Sequence, residues 1–496
     1  MDRATDCLGA AGRAAGALAL LLFFASCAAP DNWTPRQPEP QELSRFFEFS
    51  DQYVDESEPA YLRESFTAAF TRAFYQTRHN FAGDVTDTSL VDAAIDGIAE
   101  LSPTPQATPS EQLTEASVNT MLTSLDRYSG FLDQRAFLFL QQQTRGEFGG
   151  LGVEITMEED HVKVISPIDG TPAFRAGIQP GDLITHLDGD NVAGMTLPEA
   201  VDRMRGQVGT DIDLRIQREA KAPFDVTITR ALIRIKSVRW RREGNAGYVR
   251  ITTFDENATA NLAQAIEQLH GEIGPDMSGI VLDLRNNPGG LRDEGIDVSD
   301  IFLRDGGIVS MRGRHQSTNE SFSAESGDSG ELIPLVVLIN RGSASASEIV
   351  AGALQDNGRG IVMGQRSFGK GSVQTIIPLP GQVAMRLTTA HYYSPSGRGV
   401  EGAGIMPNVF IKPAPKPDDT AESAEAEEGE EGEPIPDEPT DNAAAPAPDD
   451  PNDRPTPYVE VDEAQCPDTA ADDAVLGCAL ALLQSGGLDQ FMTALR

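Results

Sequence analysis

The chain has 496 residues, with 39 Lys plus Arg against 76 Asp plus Glu and a formal net charge of −37. A surface that acidic repels a polyanion, which excludes nucleic acid as a partner class. At roughly 100 to 200 residues per domain the length allows about three domains. A hydrophobic fraction of 40% suffices for packed cores, so wholly disordered and collagen-like chains are excluded as well.

Taken in chain order, residues 1–26 read as a signal peptide: Arg3 and Arg13 accompany an apolar run at 14–24, short for a bilayer span but suited to a signal core. Export is the expectation. Phe24-Ala25-Ser26-Cys27 resembles a bacterial lipoprotein signal. The resemblance implies lipidation of Cys27 and anchoring on the periplasmic side of a bacterial membrane, with Ala28 favouring the outer one. No later stretch reaches the 18 or so apolar residues of a membrane helix, so the lipid is the only membrane attachment expected.

Residues 27–45 read as this anchor followed by a Pro-rich polar linker. Apolar residues recur at helical spacing over 61–74, 89–101 and 117–125, which makes 46–145 a helical region with an exposed Pro/Thr/Ser loop at 102–111. Aromatic and Leu positions on these helices suit a core or a homodimer contact. From 146 to 225 the pattern becomes short alternating strands (152–156, 161–164, 182–187, 211–217) with a helix at 197–205, a small β domain. Phe148-Gly149-Gly150-Leu151-Gly152-Val153, followed by AFRAGIQPG at 173–181, resembles a PDZ domain. Such a domain takes an extended peptide as an added strand, and the resemblance assigns Gly150, Leu151 and Gly152 to the loop that receives its terminal carboxylate.

Residues 226–411 alternate strands and helices. A strand at 246–254 and a helix at 259–269 precede near-continuous apolar runs at 278–284 and 331–339, as in buried strands covered by helices. At 336–354 a strand end, a small-residue turn and a helix succeed one another. Ser345 at that junction could use free amides and the positive helix end to stabilise an oxyanion, although Ser345-Ala346-Ser347-Glu348 reads equally as a capping box. Two other segments supply what a nucleophile needs: RSFGKGSVQ at 366–374 holds Lys370 among small residues, and DLRNNPGG at 283–290 is a glycine turn able to aim an amide at a carbonyl. A base lysine must be neutral, which requires burial to lower its pKa from the usual ~10.4.

Residues 412–463 read as a disordered acidic linker or an acidic partner-binding tail, since 411–463 contain 18 Asp plus Glu and three Lys plus Arg with few large apolar side chains. A small helical segment follows at 464–496, its pattern clearest at 472–483; docking on the core and docking on a partner are both open. Cys466 and Cys478 are a candidate disulfide in an oxidising compartment. The six His residues form no cluster, so neither a metal nor a cofactor is expected.

SASASEIVAGALQD (343–356), FGKGSVQ (368–374), DLRNNPGGL (283–291) and LTTAHYYSPSGRGVEGAGIMPNV (387–409) resemble the carboxyl-terminal processing, or tail-specific, proteases, and the resemblance spans roughly residues 60–411. It implies an α/β multi-domain architecture: a helical N-terminal region, a PDZ-like β domain ahead of an α/β protease core, and the acidic segment beyond. It also implies a Ser-Lys serine endopeptidase acting on proteins with accessible C-terminal tails; whether an adaptor protein joins them as a partner is left open by the sequence. The residues alone leave Ser343, Ser345 and Ser347 open as nucleophile; the family's spacing to the lysine selects Ser345, with Lys370 as general base. By the same resemblance Gln374 orients the lysine, Asp356 supports the site, and the amides of Ala346 and of Gly289 or Gly290 form the oxyanion hole. The PDZ domain would either hold the substrate tail or gate the site. Arg127-Tyr128 departs from the family's usual Pro-His, outside the catalytic motifs. The rival reading is an inactive PDZ peptide-binding lipoprotein or scaffold; a Ser-His-Asp hydrolase would need the absent Gly-x-Ser-x-Gly elbow.

Overall fold

The computed structural model describes residues 41–158, 160–168, 170–218, 221–234, 236–325, 333–413, 458–467 and 473–495. The signal segment, Cys27 and most of the acidic stretch lie outside the described residues.

Four helices, Gln41–Ser50, Ala60–Asn80, Asp87–Glu100 and Ser110–Thr123, open the chain. Thr86 starts the third by accepting the Ser89 amide at 3.1 Å. Phe66, Phe70 and Phe74 recur every fourth residue on one face of the second and are buried. The expected linker to 45 is shorter than read, because Leu43 and Phe46 are apolar at helical spacing and bury against that same face. These rings are consumed within one chain, packing also on Ile377, Leu379, Met385 and Leu387, so the helical region is fused to the protease core. A fifth helix, Gln134–Thr144, capped by Asp133, leads into the β domain.

In that domain the strands run Val153–Glu158, His161–Pro167, Leu183–Leu187, Asp211–Gln217 and Phe224–Thr229 across one antiparallel sheet. The boundary expected at 225 falls inside the last of these, because Val226 and Ile228 supply apolar contacts to the domain's own core. Val153–Glu158 is an edge strand. The domain joins the rest through the two-stranded ribbon Glu147–Gly150 with Ala231–Arg234.

The core holds a seven-stranded sheet ordered Val238–Glu243, Ala246–Ile251, Gly279–Asp283, Leu335–Ile339, Ile361–Gly364, Val409–Lys412 and Val459–Asp462, parallel except for the first pair. Alternate residues bury on opposite faces. Val249, Leu282 and Val337 face helices Ala258–Ile273, Arg292–Phe302 and Ala346–Asp356. Tyr248, Val281, Val336 and Leu338 face the C-terminal helices Ala474–Ser485 and Leu488–Ala494 through Leu476, Leu482, Leu483 and Phe491. The C-terminal segment therefore docks on the core as one of its layers. The linker expected to reach 463 ends earlier, since Val459 and Val461 alternate as a strand and complete the sheet edge. Cys466 and Cys478 form a disulfide within this segment. A second, antiparallel sheet of Gly130–Leu132, Val383–Tyr393, Ser372–Leu379, Gly307–Arg312 and Glu320–Ser323 links the helical region to the site.

Candidate active site

Ser345 immediately precedes helix Ala346–Asp356 with φ 55° and ψ −115°, a conformation that L-residues rarely adopt. It is held by its surroundings. The Ser345 amide donates to Glu348 Oε2 at 2.8 Å, while the Glu348 amide donates to the Ser345 carbonyl at 2.8 Å. The Ser345 hydroxyl makes no helix-capping hydrogen bond and lines a small cavity with Tyr392, whose pKa burial pushes up to about 12. The other two serines of the run are fully buried and engaged, Ser343 Oγ donating to Leu284 O at 2.8 Å and Ser347 Oγ to Asn287 O at 2.9 Å. Only the middle serine is partly accessible.

Glu348 organises the site more widely than a capping residue. It is 1% exposed, and four donors converge on it: Ser367 Oγ at 2.5 Å and Gly369 N at 2.8 Å on Oε1, Ser345 N at 2.8 Å and Lys370 N at 2.9 Å on Oε2. Burial pushes its pKa up and these bonds oppose the rise. One carboxylate thus fastens the Ser345 backbone to the Lys370 backbone.

Burial depresses the pKa of Lys370, Arg386 adds to the depression, and Glu401 and Glu348 oppose it. Its Nζ sits 5.3 Å from the centroid of the Tyr128 ring. Arg127-Tyr128, outside the catalytic motifs in the sequence, is brought to Lys370 by that contact. Asp126 folds the turn by accepting the Tyr128 and Ser129 amides, both at 2.7 Å, and Arg386 Nε bonds the Tyr128 carbonyl at 2.8 Å, which turns the ring onto the lysine. The Tyr128 hydroxyl is buried without a hydrogen-bond partner among the described residues. A contact across more than 200 residues of sequence has no local signal.

Gln374, expected to orient the lysine, donates its amide to Ser372 Oγ at 2.7 Å, and no hydrogen bond joins it to Lys370 among the described residues; Lys370 lies ahead of strand Ser372–Leu379, where a period of two does not apply. Asp356 lies away from Ser345. It forms an ion pair with Arg398 at 2.6 Å and accepts the Ser396 amide at 3.0 Å, clamping the turn after strand Val383–Tyr393.

Gly289 abuts Ser345: a Cβ there would lie 2.8 Å from Ser345 Cβ and 3.0 Å from the Ala346 nitrogen. Its own amide is engaged by Asn287 Oδ1 at 2.9 Å. The amides of Ala346 and Gly290 have no partner among the described residues. The turn is fixed to the turn before Ser345 by Asn286 N to Asn340 Oδ1 at 2.9 Å and Ala344 N to Asn287 O at 3.0 Å.

In the β domain, Leu151 is buried and Gly152 has φ +72°, with its carbonyl taken by Thr171 Oγ1 at 2.8 Å. The Leu151 and Gly152 amides carry no partner among the described residues and stand at the head of the edge strand Val153–Glu158. At the root of the domain Arg205 lies against the rings of Phe139 and Phe148, at 4.9 and 4.6 Å from their centroids, and burial lowers its pKa. No group of residues suited to a metal is present among the described residues.

A PDZ domain model matches residues 149–227 and the model of peptidase family S41 matches residues 245–411. The chain is 50% identical over 304 residues to a carboxy-terminal-processing protease of Bartonella bacilliformis, covering 61% of this chain and 70% of that one. It is 39% identical over 308 residues to a carboxyl-terminal-processing protease of Synechocystis, covering 60% and 71%. Among solved structures it resembles the photosystem II D1 C-terminal processing protease, at 30% identity and a TM-score of 0.44, covering 70% of this chain and 93% of that one. The chain belongs to the carboxy-terminal-processing proteases, serine-type peptidases of family S41 that carry a PDZ domain.

Proposed function

We propose that this protein is an exported endopeptidase that cuts protein substrates near their C-terminus, with Ser345 as nucleophile and Lys370 as general base. The observation that carries the reading is the joining of the two by one buried carboxylate: Glu348 holds both backbones while Ser345 keeps its hydroxyl outside the helix cap and Lys370 has a lowered pKa. Ser345 attacks the peptide carbonyl and its proton passes to Lys370. The tetrahedral oxyanion is met by the Ala346 amide and by that of Gly290, or of Gly289 once released from Asn287. Collapse gives an acyl-enzyme as the lysine returns the proton to the leaving amine, and water completes hydrolysis. The substrate tail adds as a strand beside Val153–Glu158 with its carboxylate at the Leu151 and Gly152 amides. Export and a lipid tether at Cys27 rest on the apolar run at 14–24 and the Phe-Ala-Ser-Cys motif.

The test compares the parent with Ser345→Ala and Lys370→Ala on an unfolded reporter ending in apolar residues, with a free or an amidated C-terminus. Cleavage by the parent alone, weaker on the amidated tail, is expected. Equal cleavage of the two tails removes tail recognition, and cleavage by Ser345→Ala removes the nucleophile.

A further inference from the structure

Arg285 stands at the root of the glycine turn, two residues beyond strand Gly279–Asp283 and four before Gly289. Its guanidinium is divided between two carboxylates. Towards Asp283 it donates Nε at 3.0 Å and Nη2 at 2.6 Å; towards Asp473 it donates Nη1 at 2.9 Å and Nη2 at 2.7 Å. Asp283 is fully buried and is shared with the Tyr248 hydroxyl at 2.7 Å and with Arg250 at 3.3 Å. Two arginines therefore face two aspartates in a largely enclosed set, and charge balance needs Asp473.

Asp473 comes from the far side of the acidic stretch. It also starts helix Ala474–Ser485 by accepting the Leu476 amide at 3.0 Å. That helix is held to its own segment by the Cys466–Cys478 disulfide and to the sheet by Leu483, which leaves no room for a Cβ at Gly279. Beyond Arg285 the chain enters a strained position, Asn286 at φ +55°, and then the turn that abuts Ser345. With Asp473 gone, Arg285 would compete with Arg250 for Asp283 and the turn would lose one side of its root.

We infer that Asp473 is a positioning residue for the oxyanion turn: through its paired hydrogen bonds to Arg285, the C-terminal segment holds residues 285–290 against the nucleophile. The kinetic consequence rests on the serine-protease reading; the structural one does not. The segment is thus a working part of the catalytic unit.

The discriminating variant is Asp473→Ser, which retains a side-chain oxygen for the Leu476 amide and so keeps the helix start, but has no carboxylate for Arg285. Two readouts on the purified chain separate the possibilities: amide hydrogen exchange over 284–291, and kcat and KM on the tail reporter. Expected for Asp473→Ser are about tenfold faster exchange in that turn and about tenfold lower kcat, the loss of one charge-assisted pair, with KM within about twofold. Asp473→Glu, which retains the charge, recovers at least half of the lost kcat. Unchanged exchange in the turn overturns the inference whether or not the parent cleaves. Faster exchange with parental kcat overturns its catalytic half. A parent with no activity counts against the protease reading alone, and the exchange result still decides the contact.

Discussion

Replacing Glu348 by Gln keeps the shape of the side chain and exchanges one acceptor oxygen for an NH2 group. Four donors point at the carboxylate, two on each oxygen. If the new NH2 faces the Oε1 side, the Ser367 hydroxyl can rotate and accept, but the Gly369 amide cannot and is left buried without a partner. If it faces the Oε2 side, both the Ser345 and Lys370 amides lose their acceptor. The first arrangement costs less. One buried, unpaired amide costs about 1–3 kcal/mol, and at 1.36 kcal/mol per tenfold in rate that is a fall of about 5- to 160-fold in kcat if the lysine loop moves to relieve it. KM should change little, because no group argued to bind the tail is touched. The assay is steady-state cleavage of the tail reporter together with thermal unfolding of parent and variant. Parental kcat and an unaltered melting temperature in Glu348→Gln would refute the view that this carboxylate holds the two catalytic backbones together.

The pH dependence follows from Lys370, which acts when neutral: kcat/KM should rise with pH and reach its plateau below the usual lysine range near ~10.4, because burial and Arg386 lower its pKa. Arg386→Gln removes a cation, raises that pKa and moves the rising limb to higher pH, whereas Glu401→Gln removes an anion and moves it lower; pH–rate profiles shifting in the same direction would sink the assignment. Asp356→Ala removes the carboxylate partner of the half-buried Arg398, which keeps its bonds to Gln355 and Ser396, and should lower stability by about 1–3 kcal/mol in denaturant unfolding while kcat stays within about twofold; a large kcat loss in a well-folded variant would give Asp356 a part in the chemistry. The Cys466→Ser, Cys478→Ser double variant opens a loop with a sequence separation of 12 and should cost about 2–4 kcal/mol, seen as a lower unfolding midpoint in the oxidised protein; an unchanged midpoint would mean that helix Ala474–Ser485 is held by its apolar contacts alone.

What was legible in the sequence was local. The strand, small-residue turn and helix around Ser345 announce themselves by composition, the PDZ strands by alternation, and the buried sheet by apolar runs with no polar face. What was not legible depends on partners distant in the chain. Tyr128 reaches Lys370 only because Asp126 and Arg386 fold its turn inward. Val459 and Val461 sit at the end of an acidic stretch, and their two apolar positions become a strand only because Val409–Lys412 offers an open edge. Gln374 shows the converse: a period of two was counted from Lys370, which lies ahead of strand Ser372–Leu379, and the Gln374 amide bonds Ser372.

The capping-box and nucleophile readings of Ser345 looked like competitors, and the structure makes them one arrangement. In a reciprocal capping box the serine oxygen receives the third amide of the helix and is then occupied. Here the glutamate half is made, Ser345 N to Glu348 Oε2, but the Glu348 amide turns to the Ser345 carbonyl. At this junction, with φ 55° and ψ −115°, the Glu348 amide is spent on the backbone carbonyl. Such a conformation costs on the order of 1–3 kcal/mol, and the bonds of Glu348 together with those of Ser343 and Ser347 are what offset it. The flanking serines tie the turn that holds Ser345 to residues 284–287. Ser343→Ala and Ser347→Ala should each lower kcat without touching substrate, and because the two anchor opposite sides of one turn their effects should not add; additive losses would mean that each acts alone.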